Sequence, residues 1–171
     1  MPDVAIRETR LDADTAPVLE IDHLSISYFT RAGEVPAVID FSLTVHAGEA
    51  VGVVGESGCG KSTVAMAVMQ YLGSNGKIVG GSIKFRGRDM TKMTEEELRQ
   101  LRGSQISMVY QEPMAALNPS MTIGEQLAEV PLYHEANCTP EEARRRAVEM
   151  LGKVGLPDPQ RVMKSYPHQI S

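Results

Sequence analysis

The densest chemistry in the sequence lies in nine consecutive residues, Gly55, Glu56, Ser57, Gly58, Cys59, Gly60, Lys61, Ser62 and Thr63, whose first eight satisfy the pattern GxxxxGK[ST]. In such a loop the glycines let the main chain turn its N–H groups inward, where side chains would otherwise block the approach of phosphate oxygens. The helix that follows adds unpaired N–H groups carrying partial positive charge. Lys61 is placed to reach the β- and γ-phosphates as a point charge, Ser62 to give its hydroxyl to Mg²⁺, and Thr63 to support the α-phosphate. The chemistry is that of a nucleoside triphosphate held with magnesium.

A loop of this kind works only between a strand and a helix, and the flanks supply both. Ala50 to Val54 is apolar on both faces and reads as a central strand covered on both sides. Val64, Ala65, Val68, Met69 and Leu72 recur at helical spacing. Upstream, every odd position from Val35 to Val45 is apolar, which predicts a half-buried strand along one face. Leu19 and Ile21 share one parity while Leu24, Ile26 and Tyr28 share the other, so a bulge is expected at Asp22-His23. Arg31 to Glu34 has the glycine of a hairpin turn and predicts antiparallel pairing of the two strands.

Downstream, Thr94 with Glu97, Thr122 with Glu125 and Thr139 with Glu142 each match the capping box of a helix start, the third followed by Pro140. In that third helix Ala143, Ala147, Met150, Leu151 and Val154 form an apolar stripe, and Gly155 is expected to end it. Ile106 to Tyr110 reads as a short strand ending at Gln111. The order, an antiparallel β start, a strand-loop-helix core and a helical stretch from about residue 122, gives an α/β fold class.

Composition narrows the possibilities. With 171 residues, 42% hydrophobic and 23% charged, the chain is a globular protein of one-domain length. Seventeen Lys and Arg against 22 Asp and Glu, with no like-charge run longer than Glu95-Glu97 or Arg144-Arg146, give no nucleic-acid signature. Cys59 and Cys138 form neither a disulfide framework nor a metal spacing, which fits a reducing cytoplasm. His23, His46, His134 and His168 lack a supporting constellation, and surface or packing roles are expected for them. No window approaches the roughly 18 apolar residues of a spanning helix. Residues 1–17 carry acids and no apolar core, and read as a loose, flexible N-terminal extension without the features of a secretory signal.

The segment LEIDHLSISYFTRAGEVPAVIDFSLTVHAGEAVGVVGESGCGKST resembles the start of an ABC transporter ATP-binding subunit, with the peptide, nickel and glutathione importer group the most similar. A second stretch, SMVYQEPMAALNPSMTIGEQLAE, resembles that family's Q-loop and the residues after it. The ending, GLPDPQRVMKSYPHQIS, is similar to the approach to the signature motif, with Ile170 and Ser171 as its first two positions. The resemblance covers about residues 18–171. It implies a P-loop NTPase domain of ABC type, present in part: an antiparallel β subdomain, part of a RecA-like core and a helical subdomain, with Walker A and Q-loop but without the signature glycines, the Walker B strand or the switch histidine.

The same resemblance implies roles for single residues. Tyr28 matches the aromatic that stacks on adenine; Phe29 is its neighbour, and packing in a core is the other role open to the ring. Gln111 matches the glutamine that ligates Mg²⁺, positions the attacking water and hinges the helical subdomain. Glu112 receives no catalytic role, since no Asp precedes it. The ligands implied are ATP and Mg²⁺. The implied partners are membrane-spanning permease subunits, a second ATP-binding subunit and, indirectly, a solute-binding protein, at the cytoplasmic face of the membrane and without nucleic acid. With no general base in the chain, binding of ATP without efficient hydrolysis is expected. The alternatives are a soluble ABC-type ATPase of DNA repair or translation, and a nucleotide-binding remnant that does not hydrolyse.

Overall fold

The computed structural model describes residues 16–170 and the backbone of residues 6–7; most of the N-terminal extension expected at 1–17, and Ser171, lie outside the described residues. The chain divides into two units, Met1–Arg102 and Gly103–Ser171.

In the first unit, β1 (Ile6–Arg7) pairs antiparallel with β4 (Gly52–Val53), and β2 (Leu19–Thr30), β3 (Gly33–Val45), β5 (Gly76–Phe85) and β6 (Arg88–Asp89) form an antiparallel sheet in the order β3-β2-β5-β6. The hairpin between β2 and β3 turns at Arg31-Ala32, with Gly33 at φ 122°, as the sequence predicts. Helix α1 (Lys61–Val68) follows the glycine-rich loop, and α2 (Glu95–Leu101) closes the unit. Leu24, Ile26 and Ile83 are fully enclosed at its centre, with Val38, Phe41, Val64, Ala67 and Leu98 also buried.

The bulge on β2 falls where the parity slips. Ile21 and Leu24 are both buried although three residues apart, because His23 adopts φ 48° and the register shifts between them. Both neighbours hold it. From β3, Ser42 Oγ accepts the His23 N–H at 2.9 Å and Asp40 Oδ1 lies 2.5 Å from His23 Nδ1. From β5, Gly81 at φ 77° leaves room for the backbone of Asp22 and His23, which any Cβ there would strike. The β3 alternation expected from Val35 to Val45 does not hold. Val38 and Phe41 are buried while Val35 and Ile39 are 50% and 60% exposed, because Asp40 (φ 55°) is an inserted residue and inverts the faces.

The Asp40 hydrogen bond to His23, with the negative charges of Asp40 and Asp22, raises the imidazole pKa above its ordinary 6.5. The charged form is thus favoured in the folded state. The stability this adds is fully present below pH 6.5 and is lost as pH rises through the folded-state value. An NMR titration is expected to place the His23 midpoint above 6.5, and Asp40→Asn to return it toward 6.5. A wild-type midpoint at or below 6.5 would contradict the assignment.

Two expected strands are not formed as such. Ala50–Val54 contributes only the two residues of β4, and Val54 is 62% exposed. Ile106–Tyr110 has no strand, and Val109 is 89% exposed. In both cases no second ladder partner stands beside the segment among the described residues, and an apolar run becomes a central strand only between neighbours.

The second unit is helical: a 3₁₀ turn (Pro113–Ala116), α3 (Ile123–His134), α4 (Pro140–Lys153), α5 (Pro159–Lys164) and a second 3₁₀ turn (Pro167–Gln169). Ile123, Leu151 and Val162 centre its core. Gly124 lets α3 lie against α5, since a Cβ there would stand 2.6 Å from the Met163 carbonyl. The boxes at Thr94 and Thr122 form completely. The third is half made: Thr139 accepts the Glu142 N–H, but the Glu142 carboxylate is taken by Arg146 at 2.6 Å. The α4 stripe is narrower than predicted, with Ala143, Ala147 and Leu151 buried and Met150 and Val154 exposed. Gly155 (φ 77°) ends the helix, and the Leu156 N–H bonds the Leu151 carbonyl as in a Schellman cap.

Candidate functional site

The loop from Gly55 to Gly60 runs between β4 and α1. Gly58 and Gly60 have φ of 82° and 100°, a region L side chains avoid. At Gly60 a Cβ would also stand 2.7 Å from the Ala37 carbonyl oxygen and 3.1 Å from Val38 Cγ2, so the loop is pressed against β3 there. Cys59 folds across the loop, its Sγ 2.7 Å from where a Gly55 Cβ would be.

Gly60 is also the N-cap of α1 and brings no side chain to its first-turn N–H groups. By contrast α2, α3, α4 and α5 each use a Thr or Asp side chain as cap. A bare helix start of this kind holds donors and partial positive charge for an anion. Lys61 adds a full charge: its Nζ donates to the carbonyls of Gly55 (2.8 Å) and Glu56 (2.6 Å) and lies 3.5 Å from Cys59 Sγ. Ser62 is exposed on the first turn and Thr63 half-buried behind it.

A cavity of about 360 Å³ opens here, walled by Glu56 to Lys61 on one side and Pro36 to Ile39 on the other. Sequence reasoning missed the β3 wall. Its one signal is Pro36, which suits a strand with a free edge, the position β3 takes in the sheet.

Tyr28, in the same unit, lies outside the lining of this cavity. It is half-buried on β2, opposite Val35 and Gly76; its Cε1 is 2.9 Å from where a Gly76 Cβ would be. Phe29 is 42% exposed with Lys77 Nζ 5.4 Å over its ring, a cation–π contact. Gln111 and Glu112 are exposed residues of the second unit, just before the Pro113–Ala116 turn. Among the described residues no helix is long and apolar enough to cross a membrane.

A model of the ABC transporter family matches residues 38–171. The oligopeptide transport ATP-binding protein AppD of Bacillus subtilis is 44% identical over 155 residues, covering 90% of this chain and 47% of that protein. OppD of Salmonella typhimurium is 46% identical over 154 residues (90% and 45%), and the dipeptide transport protein DppD of Bacillus subtilis 41% over 155 (90% and 46%). The chain thus spans about half the length of the curated relatives it matches. Among solved structures, a dimeric bacterial ABC transporter cassette superposes with a TM-score of 0.69 at 20% identity, covering 90% of this chain and 63% of its own. The same cassette in a post-hydrolysis state bound to ADP and Pi gives 0.72 at 22%, with the same coverage. These two likenesses show the fold.

Proposed function

The chain belongs to the ABC transporter family, and from that premise we propose that it is the ATP-binding part of a subunit that drives import of peptides or similar solutes. The observation that carries the reading is the uncapped start of α1, with Lys61 folded into a loop held open by left-handed Gly58 and Gly60. The relatives' names, oligopeptide and dipeptide transport ATP-binding proteins, support peptides as the cargo.

In this reading Gly55 to Thr63 surround the phosphates. The main-chain N–H groups donate to phosphate oxygens, and Lys61 transfers its hydrogen bonds from the Gly55 and Glu56 carbonyls to the β- and γ-phosphates. The residues fit the group, since the cavity presents donors and a cation with Glu56 its one carboxylate. Ser62 would hold Mg²⁺, which neutralises charge on the phosphates, and Gln111 keeps the Mg²⁺-ligand role that the family resemblance implies. Tyr28 is the adenine-stacking candidate, and residues 18–171 constitute the partial ATP-binding domain.

Hydrolysis requires a positioned base beside the cradle, and none is assigned among these residues. These residues by themselves are thus expected to bind MgATP without efficient hydrolysis. Membrane-spanning subunits and a second ATP-binding subunit are the partners, at the cytoplasmic face of the membrane. The comparisons do not favour a soluble ATPase of DNA repair or translation.

Titration of the chain with MgATP is expected to give saturable binding with phosphate release at the buffer background. Absence of binding, or sustained turnover, would overturn the respective part of the reading. For transport, the tagged protein is expected to co-purify with membrane-spanning subunits; recovery solely in a partner-free soluble fraction would count against that role.

A further inference from the structure

Helix α1 is short, and its buried residues are Val64 and Ala67 alone. A helix of eight residues has most of its carbonyls at or near its C-terminal end, where intrahelical partners run out. The Ala65 and Met66 carbonyls accept the N–H groups of Met69 and Tyr71, and Gln70, at φ 52°, returns its own N–H and its side-chain amide to Ala67. Past the last helical residue, Val68, the carbonyls of the C-cap Met69 and of Gln70 are met from elsewhere in the unit. Arg102 Nε donates to Met69 O at 2.9 Å and its Nη2 to Gln70 O at 3.0 Å.

The third branch of the same guanidinium, Nη1, donates to Glu95 Oε1 at 2.6 Å, on the first turn of α2. Arg102 is itself the C-cap of α2, its N–H bonding the Leu98 carbonyl. That helix is anchored by buried Leu98 and Leu101. One planar fork thus ties the carbonyl end of α1 to a fixed neighbour, and its charge stands where the helix dipole is negative. At the opposite end of α1, Gly60 is pressed on the Ala37 carbonyl.

We propose that Arg102 is a positioning residue for the phosphate loop: by clamping the carbonyls of the C-cap Met69 and of Gln70 just beyond α1, it fixes the direction in which the first-turn N–H groups and Lys61 are presented. The proposal rests on the reading of that loop as a phosphate site. It touches no ligand and acts through α1.

The test uses the chain with Arg102→Ala, Arg102→Lys and, as a stability control, Ile83→Val in the sheet core. MgATP affinity and amide hydrogen exchange across Val64–Val68 are measured for each. Arg102→Ala is expected to weaken MgATP binding at least threefold and to speed α1 exchange at least tenfold. Arg102→Lys, which keeps a cation for the two carbonyls, is expected to recover at least half of each effect on a logarithmic scale. Ile83→Val is expected to lower the melting temperature without changing affinity. Unchanged affinity and exchange in Arg102→Ala, or an equal affinity loss in Ile83→Val, would overturn the proposal. If the wild-type chain itself bound no MgATP, the functional reading would fall, and α1 exchange alone would decide whether Arg102 holds the helix.

Discussion

Lys61→Ala is expected to lower MgATP affinity about 10- to 100-fold, since a hydrogen bond from a charged donor contributes ~1.5–3 kcal/mol and each ~1.4 kcal/mol is a factor of ten. In the structure the ammonium already lies inside the loop, on the carbonyls of Gly55 and Glu56. Phosphate oxygens compete with two neutral acceptors for it, and their negative charge decides the competition. Truncation removes the cation but leaves the loop backbone, because Gly58, Gly60 and the Ala37 contact set its course independently of the side chain. The folded state should therefore survive. Calorimetric titration with thermal melts separates the two effects: affinity within threefold of wild type in Lys61→Ala would remove Lys61 from the phosphate site.

How much of this was legible in the sequence depended on how local the cause was. The loop could be read because its glycines, lysine and hydroxyls sit within nine residues, and the helix after it carries its own periodicity. The β2 bulge could be read because an inserted residue leaves a parity slip, with Ile21 and Leu24 both apolar. The compensating insertion at Asp40 left no such trace. Val35 and Ile39 keep the odd-position apolar pattern across it and yet face solvent, so the pattern alone pointed to the wrong face. Ala50–Val54 and Ile106–Tyr110 depart from the sequence expectation for another reason: a strand needs neighbours, and apolarity does not supply them. At Thr139 the box residue Glu142 was present, but Arg146, four residues on and also bonded to Glu135, outcompetes the helix start for its carboxylate. The contact of Gly60 with Ala37 at the second wall and the Arg102 bonds to Met69 and Gln70 join residues more than twenty apart in sequence, a distance over which spacing carries no signal.

That non-local wall is what makes Gly60 the most sensitive position in the site. Gly60→Ala meets two penalties together. The residue is at φ 100°, where a side chain costs roughly 1–2 kcal/mol, and the new Cβ would lie 2.7 Å from the Ala37 carbonyl oxygen. That oxygen belongs to a sheet strand and cannot swing aside as a flexible side chain would, so crowding adds about 1–3 kcal/mol. Gly58→Ala separates the terms, because Gly58 has φ 82° with nothing within 4 Å of its Cβ position. It should carry the conformational penalty alone. Urea unfolding is expected to place Gly60→Ala below Gly58→Ala in stability by the crowding amount, and nucleotide titration to show the larger affinity loss at Gly60, since relief of the clash must move the N-cap of α1. Equal stability and affinity in the two variants would mean that β3 does not set the loop's position. The order expected here, with Gly60 more sensitive than Gly58, agrees with the motif, which fixes glycine at 60 and leaves 58 open, and the β3 contact supplies its physical reason.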